Sequence, residues 1–84
     1  MSILQTIRRY VLENILFTDD ESALQDGDSF LAGGIIDSTG VMEIVLFIEE
    51  AFGIKVKDDE MLPENLDSVE NLVAYVQHKK AVAV

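Results

Sequence analysis

The sequence predicts an all-α fold: a bundle of three main helices and one short one, with a long first loop. Three observations carry this. Apolar residues recur at spacings of three and four over residues 3–16, 38–52 and 69–78. Capping-box pairs, Ser2 with Gln5 and Asp67 with Glu70, stand ahead of the first and last of these stretches. The one alternating stretch, Ile54-Lys55-Val56-Lys57, has no second strand to pair with and reads as an extended linker. With 84 residues, 49% apolar, the chain reads as a single domain over residues 1–84. A domain of this size buries about 60–65% of its unfolded surface, a small core on which to build a deep cleft.

In order, Ile3, Leu4, Ile7, Val11, Leu12 and Ile15 share one helical face, and this helix is expected to end near Leu16 or Phe17. Residues 18–37 are rich in turn formers, a length of loop that usually carries function. Ala23, Leu24, Phe30, Leu31, Ile35 and Ile36 imply that it packs on the core, and Gly33-Gly34 marks a sharp turn or a close backbone approach. The strongest helix follows: Val41, Ile44, Val45, Ile48 and Phe52 form a stripe that Met42, Leu46 and Ala51 widen beyond what a surface helix needs. Either this helix is central, or part of its apolar arc meets a partner. Gly53 ends it. A short helical turn is expected over Asp58–Leu62, before Pro63. The last helix runs to about His78, with Lys79 and Lys80 suited to its C-terminal dipole and residues 81–84 as a frayed tail.

The charge narrows the function. Sixteen acids face six bases, and between Tyr10 and Ile54 there are ten acids and no Lys or Arg. Nucleic acid and anionic membrane surfaces require the opposite sign. An acidic field of this kind attracts basic partner surfaces, and it also keeps a small protein in solution. No apolar run approaches the roughly 20 residues of a membrane span. The N-terminus lacks the basic and apolar regions of a signal peptide. A cytoplasmic location is expected, in keeping with the absence of cysteine.

Most catalytic patterns fail. The only histidine, His78, lies near the tail, which leaves Ser38 without a base. Ile36-Asp37-Ser38-Thr39-Gly40 lacks the first glycine and the preceding strand of a nucleophile elbow. Counted from Asp26, a calcium loop would need glycine at Leu31 and glutamate at Asp37. Without cysteine there is no disulfide and no thiolate metal site, and no ligand spacing compels a metal. Neither a catalytic residue nor a metal ligand is assigned. What remains is Ser38 at the start of the long helix. There a hydroxyl either caps the helix or is exposed to receive a phosphate-linked group, which the positive helix end favours.

The run from Ile36 to Ile54 resembles the modification site and second helix of acyl carrier and peptidyl carrier proteins. The likeness covers nearly the whole chain: its length, its acidity, the long first loop with Ser29-Phe30 ahead of Ser38, and the capped last helix. The resemblance implies a four-helix acyl-carrier-like bundle that is not an enzyme. It implies 4'-phosphopantetheine, taken from coenzyme A by a phosphopantetheinyl transferase, on Ser38, with Asp37 assisting. Acyl or aminoacyl cargo would ride on this arm as a thioester. The partner face would comprise Thr39, Met42, Glu43, Leu46, Glu49 and Glu50, read by an acyl- or aminoacyl-loading ligase and by downstream acyl-processing enzymes with basic docking patches. The carrier would work as a free-standing monomer. Phe30, Val41, Ile44, Ile48, Phe52 and Val69 are expected in the core.

Thr39 and Gly40 stand where fatty-acid carriers usually have Leu and Asp, and Gly-Ile-Ile-Asp-Ser is closer to peptidyl and D-alanyl carriers. Phe47 stands where a small residue is usual, in space a long acyl chain would need. The expectation is therefore a carrier in a specialised lipid, polyketide or nonribosomal-peptide-type pathway. The alternatives are a housekeeping fatty-acid carrier, or an unmodified acidic adaptor binding through the second helix.

Overall fold

A computed structural model describes residues 2–82, with backbone alone at Ser38 and Val82. Four helices form: α1 Ile3–Asn14, α2 Ser38–Phe52, α3 Pro63–Leu66 and α4 Val69–Val82. Short 3-10 turns occupy Glu21–Ala23 and Asp58–Glu60. Among the described residues no strand forms, and Ile54–Lys57 is an extended linker as its isolation requires.

The Ser2 hydroxyl accepts the Gln5 N–H at 3.1 Å and the Gln5 side chain accepts the Ser2 N–H at 3.4 Å, so the predicted capping box starts α1. Ile7, Val11 and Leu12 bury its inner face. Regular helix stops at Asn14, short of the expected Leu16 or Phe17. The Ile15 and Leu16 N–H groups both donate to the Val11 carbonyl, at 3.1 and 2.9 Å, and Phe17 then turns left-handed with φ 53°. For an L-residue that conformation costs about 1–2 kcal/mol.

The first loop is folded onto the bundle. Leu24, Phe30 and Ile36 are buried. Arg8 of α1 donates to Asp26 at 2.7 Å and to the Glu21 carbonyl at 2.8 Å, and the Asp26 carbonyl accepts Glu70 N–H of α4 at 2.8 Å. Gly34 makes the expected sharp turn with φ 70°.

α2 buries Ile44, Val45 and Ile48 and ends on Gly53 in a left-handed cap. Beyond it the sequence reading needs correction. A single short helical turn before Pro63 was expected; instead the 3-10 turn ends at Glu60 and Pro63 opens α3, because its ring pre-sets the first helical position. The cap of α4 is Ser68, whose hydroxyl accepts Asn71 N–H at 3.0 Å, and not Asp67. Asp67 is occupied by the first loop: its carboxylate accepts the Ser29 hydroxyl and, at 2.9 Å, the Leu31 N–H.

α4 also outlasts the expected end at His78 and continues through Val82, so residues 81–82 are helical rather than a frayed tail. Residues 83–84 of that expected tail lie outside the described residues. Nothing in Lys79-Lys80-Ala81 breaks a helix, and Lys79 is held by Glu60 at 2.9 Å. α4 packs against α1, α2 and α3, and Phe30, Ile44, Ile48, Val69, Leu72 and Val76 are at most 1% exposed in one contiguous core. Val41 and Phe52, expected in that core, are half-buried at its edge.

Candidate functional site

The head of α2 is held from three sides. Asp37 is its N-cap, with Oδ1 accepting the Gly40 N–H at 2.8 Å, which makes Ser38 the first helical residue. The capping role thus belongs to Asp37. The turn that delivers this end is pinned by the Phe30 carbonyl, which accepts Ile35 and Ile36 N–H at 2.9 and 3.2 Å. Asp67 holds the same turn from the start of α4, its carbonyl accepting Phe30 N–H at 2.7 Å and its carboxylate taking Ser29 and Leu31. Gly40 completes the arrangement: a Cβ there would lie 2.5 Å from Ile36 Cγ2, so the residue that departs from the fatty-acid pattern is required by the packing of Ile36.

The first-turn N–H groups of a helix have no intrahelical acceptors and sit at its positive end, suited to a phosphodiester. One turn further, Val41 and Met42 face Leu31, Met61, Leu62 and Leu66 across a mostly apolar groove of about 290 Å³. An anion-tolerant helix start beside an apolar groove fits a phosphate on an amide-and-methylene arm.

Thr39, Met42, Glu43, Leu46 and Glu50 are exposed and form one stripe along α2, with Met42 47% and Leu46 59% exposed. The apolar excess of the helix therefore points outward and not into the core. Glu49 stands apart from this stripe: it is half-buried, and its carboxylate accepts the Val56 N–H at 2.9 Å, tying the linker back to α2.

Sequence reasoning missed Asp67 as the clamp on the turn before the site, and Leu31 and Leu62 as the far wall of the groove. Both are long-range juxtapositions that no local spacing announces. Phe17, 82% exposed at a left-handed position, was also missed. Its signal was present: a large apolar residue where a helix stop prefers glycine.

A family model described as phosphopantetheine attachment site matches residues 5–76. The chain belongs to that family. It is 35% identical to a D-alanyl carrier protein of Streptococcus pyogenes and 30% identical to an acyl carrier protein of Zymomonas mobilis. Each alignment covers 92% of this chain and 94% of the relative. The solution structure of a holo acyl carrier protein from Nitrosomonas europaea superposes with a TM-score of 0.75 at 25% identity, over 96% of this chain and 99% of that one.

This phosphopantetheine carrier is therefore a non-catalytic protein with 4'-phosphopantetheine as its prosthetic group, of the kind that works with phosphopantetheinyl transferases and acyl-loading ligases. Among the described residues of the carrier, no helix is long and apolar enough to cross a membrane, and no cluster of His, Asp and Glu could hold a metal ion.

Proposed function

We propose that Ser38 bears the arm, with Asp37 beside it, and that the exposed stripe of α2 is the partner face. The observation that carries this is the cap. Because Asp37 closes the head of α2, the helix does not need the Ser38 hydroxyl as its capping oxygen. The position one residue inside the helix start also favours a bound phosphodiester. The arm supplies a terminal thiol on a flexible tether; the protein raises the local concentration of what it holds at successive enzymes.

We further propose that the cargo belongs to a specialised pathway fed by an adenylating ligase, and not to housekeeping fatty-acid elongation. Phe47 supports this reading, since its ring, packed between Tyr10 and Phe52, fills the space that a small residue would leave at this position. Likeness to D-alanyl carrier proteins points the same way.

Intact mass after incubation with coenzyme A, magnesium and a broad-specificity phosphopantetheinyl transferase tests the site. The wild type is expected to gain one phosphopantetheine and Ser38→Ala none. A folded wild type that gains nothing would turn the reading toward an unmodified adaptor. Loading the arm with short and long acyl groups tests the cargo: efficient elongation of a long chain shielded inside the bundle would overturn the specialised reading.

A further inference from the structure

Asp67 carries a bonding pattern that neither of its neighbouring helices requires. It stands at the end of α3, and the cap of α4 is Ser68. Among the described residues its carboxylate forms no ion pair. It accepts instead the Ser29 hydroxyl and, at 2.9 Å, the Leu31 N–H, while its carbonyl accepts the Phe30 N–H at 2.7 Å. Ser29 Oγ in turn accepts the Ala32 N–H at 3.1 Å. One residue thus holds three consecutive residues of the first loop. Among the described residues, no other hydrogen bond ties residues 29–36 to another element.

From this clamp to the head of α2, each link is a single contact. The carbonyl of buried Phe30 fixes the Ile35 and Ile36 N–H groups. Ile36 Cγ2 stands 2.5 Å from where a Cβ of residue 40 would lie, so Ile36 and Gly40 are in close contact. Asp37 closes on the Gly40 N–H, and Ser38 follows as the first helical residue. Asp67 also lines the groove opposite Val41 and Met42, which places the groove wall and the helix head under one residue.

The chemistry at Ser38 is sensitive to such placement. The serine oxygen forms a bond to the phosphorus that carries the pantetheine of coenzyme A. The bond from that phosphorus to the bridging oxygen breaks, and adenosine bisphosphate leaves with the electron pair. The hydroxyl proton passes to a base of the transferase. Oxygen, phosphorus and leaving group must stand in line, and a misplacement of about 1 Å can cost about a hundredfold in rate.

We propose that Asp67 is a positioning residue for this transfer, acting through Ser29, Phe30 and Leu31 on the turn that delivers Ser38. The proposal rests on Ser38 as the attachment residue.

The test measures transfer from coenzyme A by a broad-specificity phosphopantetheinyl transferase, with melting temperature and amide exchange at Leu31 followed alongside. Asp67→Ala should lower kcat about tenfold and speed Leu31 exchange. Its KM for the carrier should stay within twofold, because the stripe on α2 is untouched. Asp67→Asn keeps an acceptor for Leu31 and a hydrogen-bonding group for Ser29, and should return kcat to within threefold of wild type. Ser29→Ala loses one contact of the clamp, should fall between wild type and Asp67→Ala, and carries the test if Asp67→Ala does not fold. Val73→Ala trims a half-buried side chain of α4 outside the clamp. It should melt lower and keep kcat within twofold. A wild-type kcat in Asp67→Ala, or in Ser29→Ala where the former does not fold, overturns the proposal. A rise in KM at unchanged kcat overturns it as well, because Asp67 would then be a contact of the transferase. So does an equal loss of kcat in Val73→Ala, since the slowing would follow stability. Failure of the wild type to be modified, or modification of Ser38→Ala, overturns the attachment-site reading instead.

Discussion

On the flank of α2 that faces α1, Phe47 stacks on Tyr10 with ring centroids 4.0 Å apart and meets Phe52 edge-on at 6.4 Å. On the opposite flank, Val41 and Met42 look across a groove of about 290 Å³ at Leu31, Met61 and Leu62. Both flanks are apolar in sequence, and they differ in what the chain brings opposite. On one side a full helix, α1, supplies the Tyr10 ring and closes the seam. On the other, the four-residue α3 and the turn before it leave the wall low and the groove open. One helix therefore has a side that holds the bundle together and a side left for an arm and its partners, with no change in its own character along the way.

The largest expected effect falls on the closed flank. Phe47→Ala removes a half-buried ring from two aromatic contacts and is expected to cost about 2 kcal/mol in denaturant unfolding. A loss below the error of that measurement would show that the aromatic seam does not carry the fold.

The wall of the open flank depends on a polar clasp. The Glu60 carboxylate accepts Lys79 at 2.9 Å, Lys57 N–H at 3.1 Å and the Tyr75 hydroxyl at 3.2 Å, and so fixes the turn that leads to Met61 and Leu62. Burial, and then the charge of Glu60, push the Tyr75 hydroxyl from 10.0 up to about 12. Folded protein thus holds this proton more tightly than the unfolded chain, and the stabilisation is complete below pH 10 and lost as pH rises toward 12. The bond from Lys79, and then the Lys57 N–H, hold Glu60 below its ordinary 4.5. Its stabilisation is present above that value and lost as pH falls below it. Thermal melts across this range are expected to lose both limbs in part: Tyr75→Phe should flatten the alkaline one and Glu60→Gln the acid one. Profiles that superpose on wild type would remove the clasp from the account.

The smallest effect on stability is expected at the exposed stripe. Met42→Glu with Leu46→Glu should change unfolding free energy by no more than about 0.5 kcal/mol per site. The same pair should raise the KM for transferase modification at least tenfold, by breaking the apolar anchors of the partner face. A large loss of stability would place these side chains in the core after all.

Much of this was legible in the sequence. Helical periodicity and the Ser2–Gln5 box located α1, the broad stripe located α2, and Gly53 located its end, because these signals act within one or two turns. The outward direction of Met42 and Leu46 was left open between core and partner, since periodicity fixes which residues share a face but not what covers it. Asp67 was misread as a cap because its spacing to Glu70 suits one. The competing demand came from Ser29 and Leu31, more than thirty residues away. Glu49 was grouped with the partner face by the family resemblance, whereas its oxygen meets a backbone N–H that only the returning linker supplies.

By itself, the sequence determined an acidic all-helical chain, the family motif around Ser38 and the approximate bounds of its three long helices, all consequences of local pattern and composition. Tertiary structure decided that Ser68 and not Asp67 caps α4, which flank of α2 is closed and where the groove lies. Those outcomes depend on the bonds and surfaces that distant segments offer one another, and a hydrogen-bond donor or apolar face takes whichever partner the completed packing brings within reach.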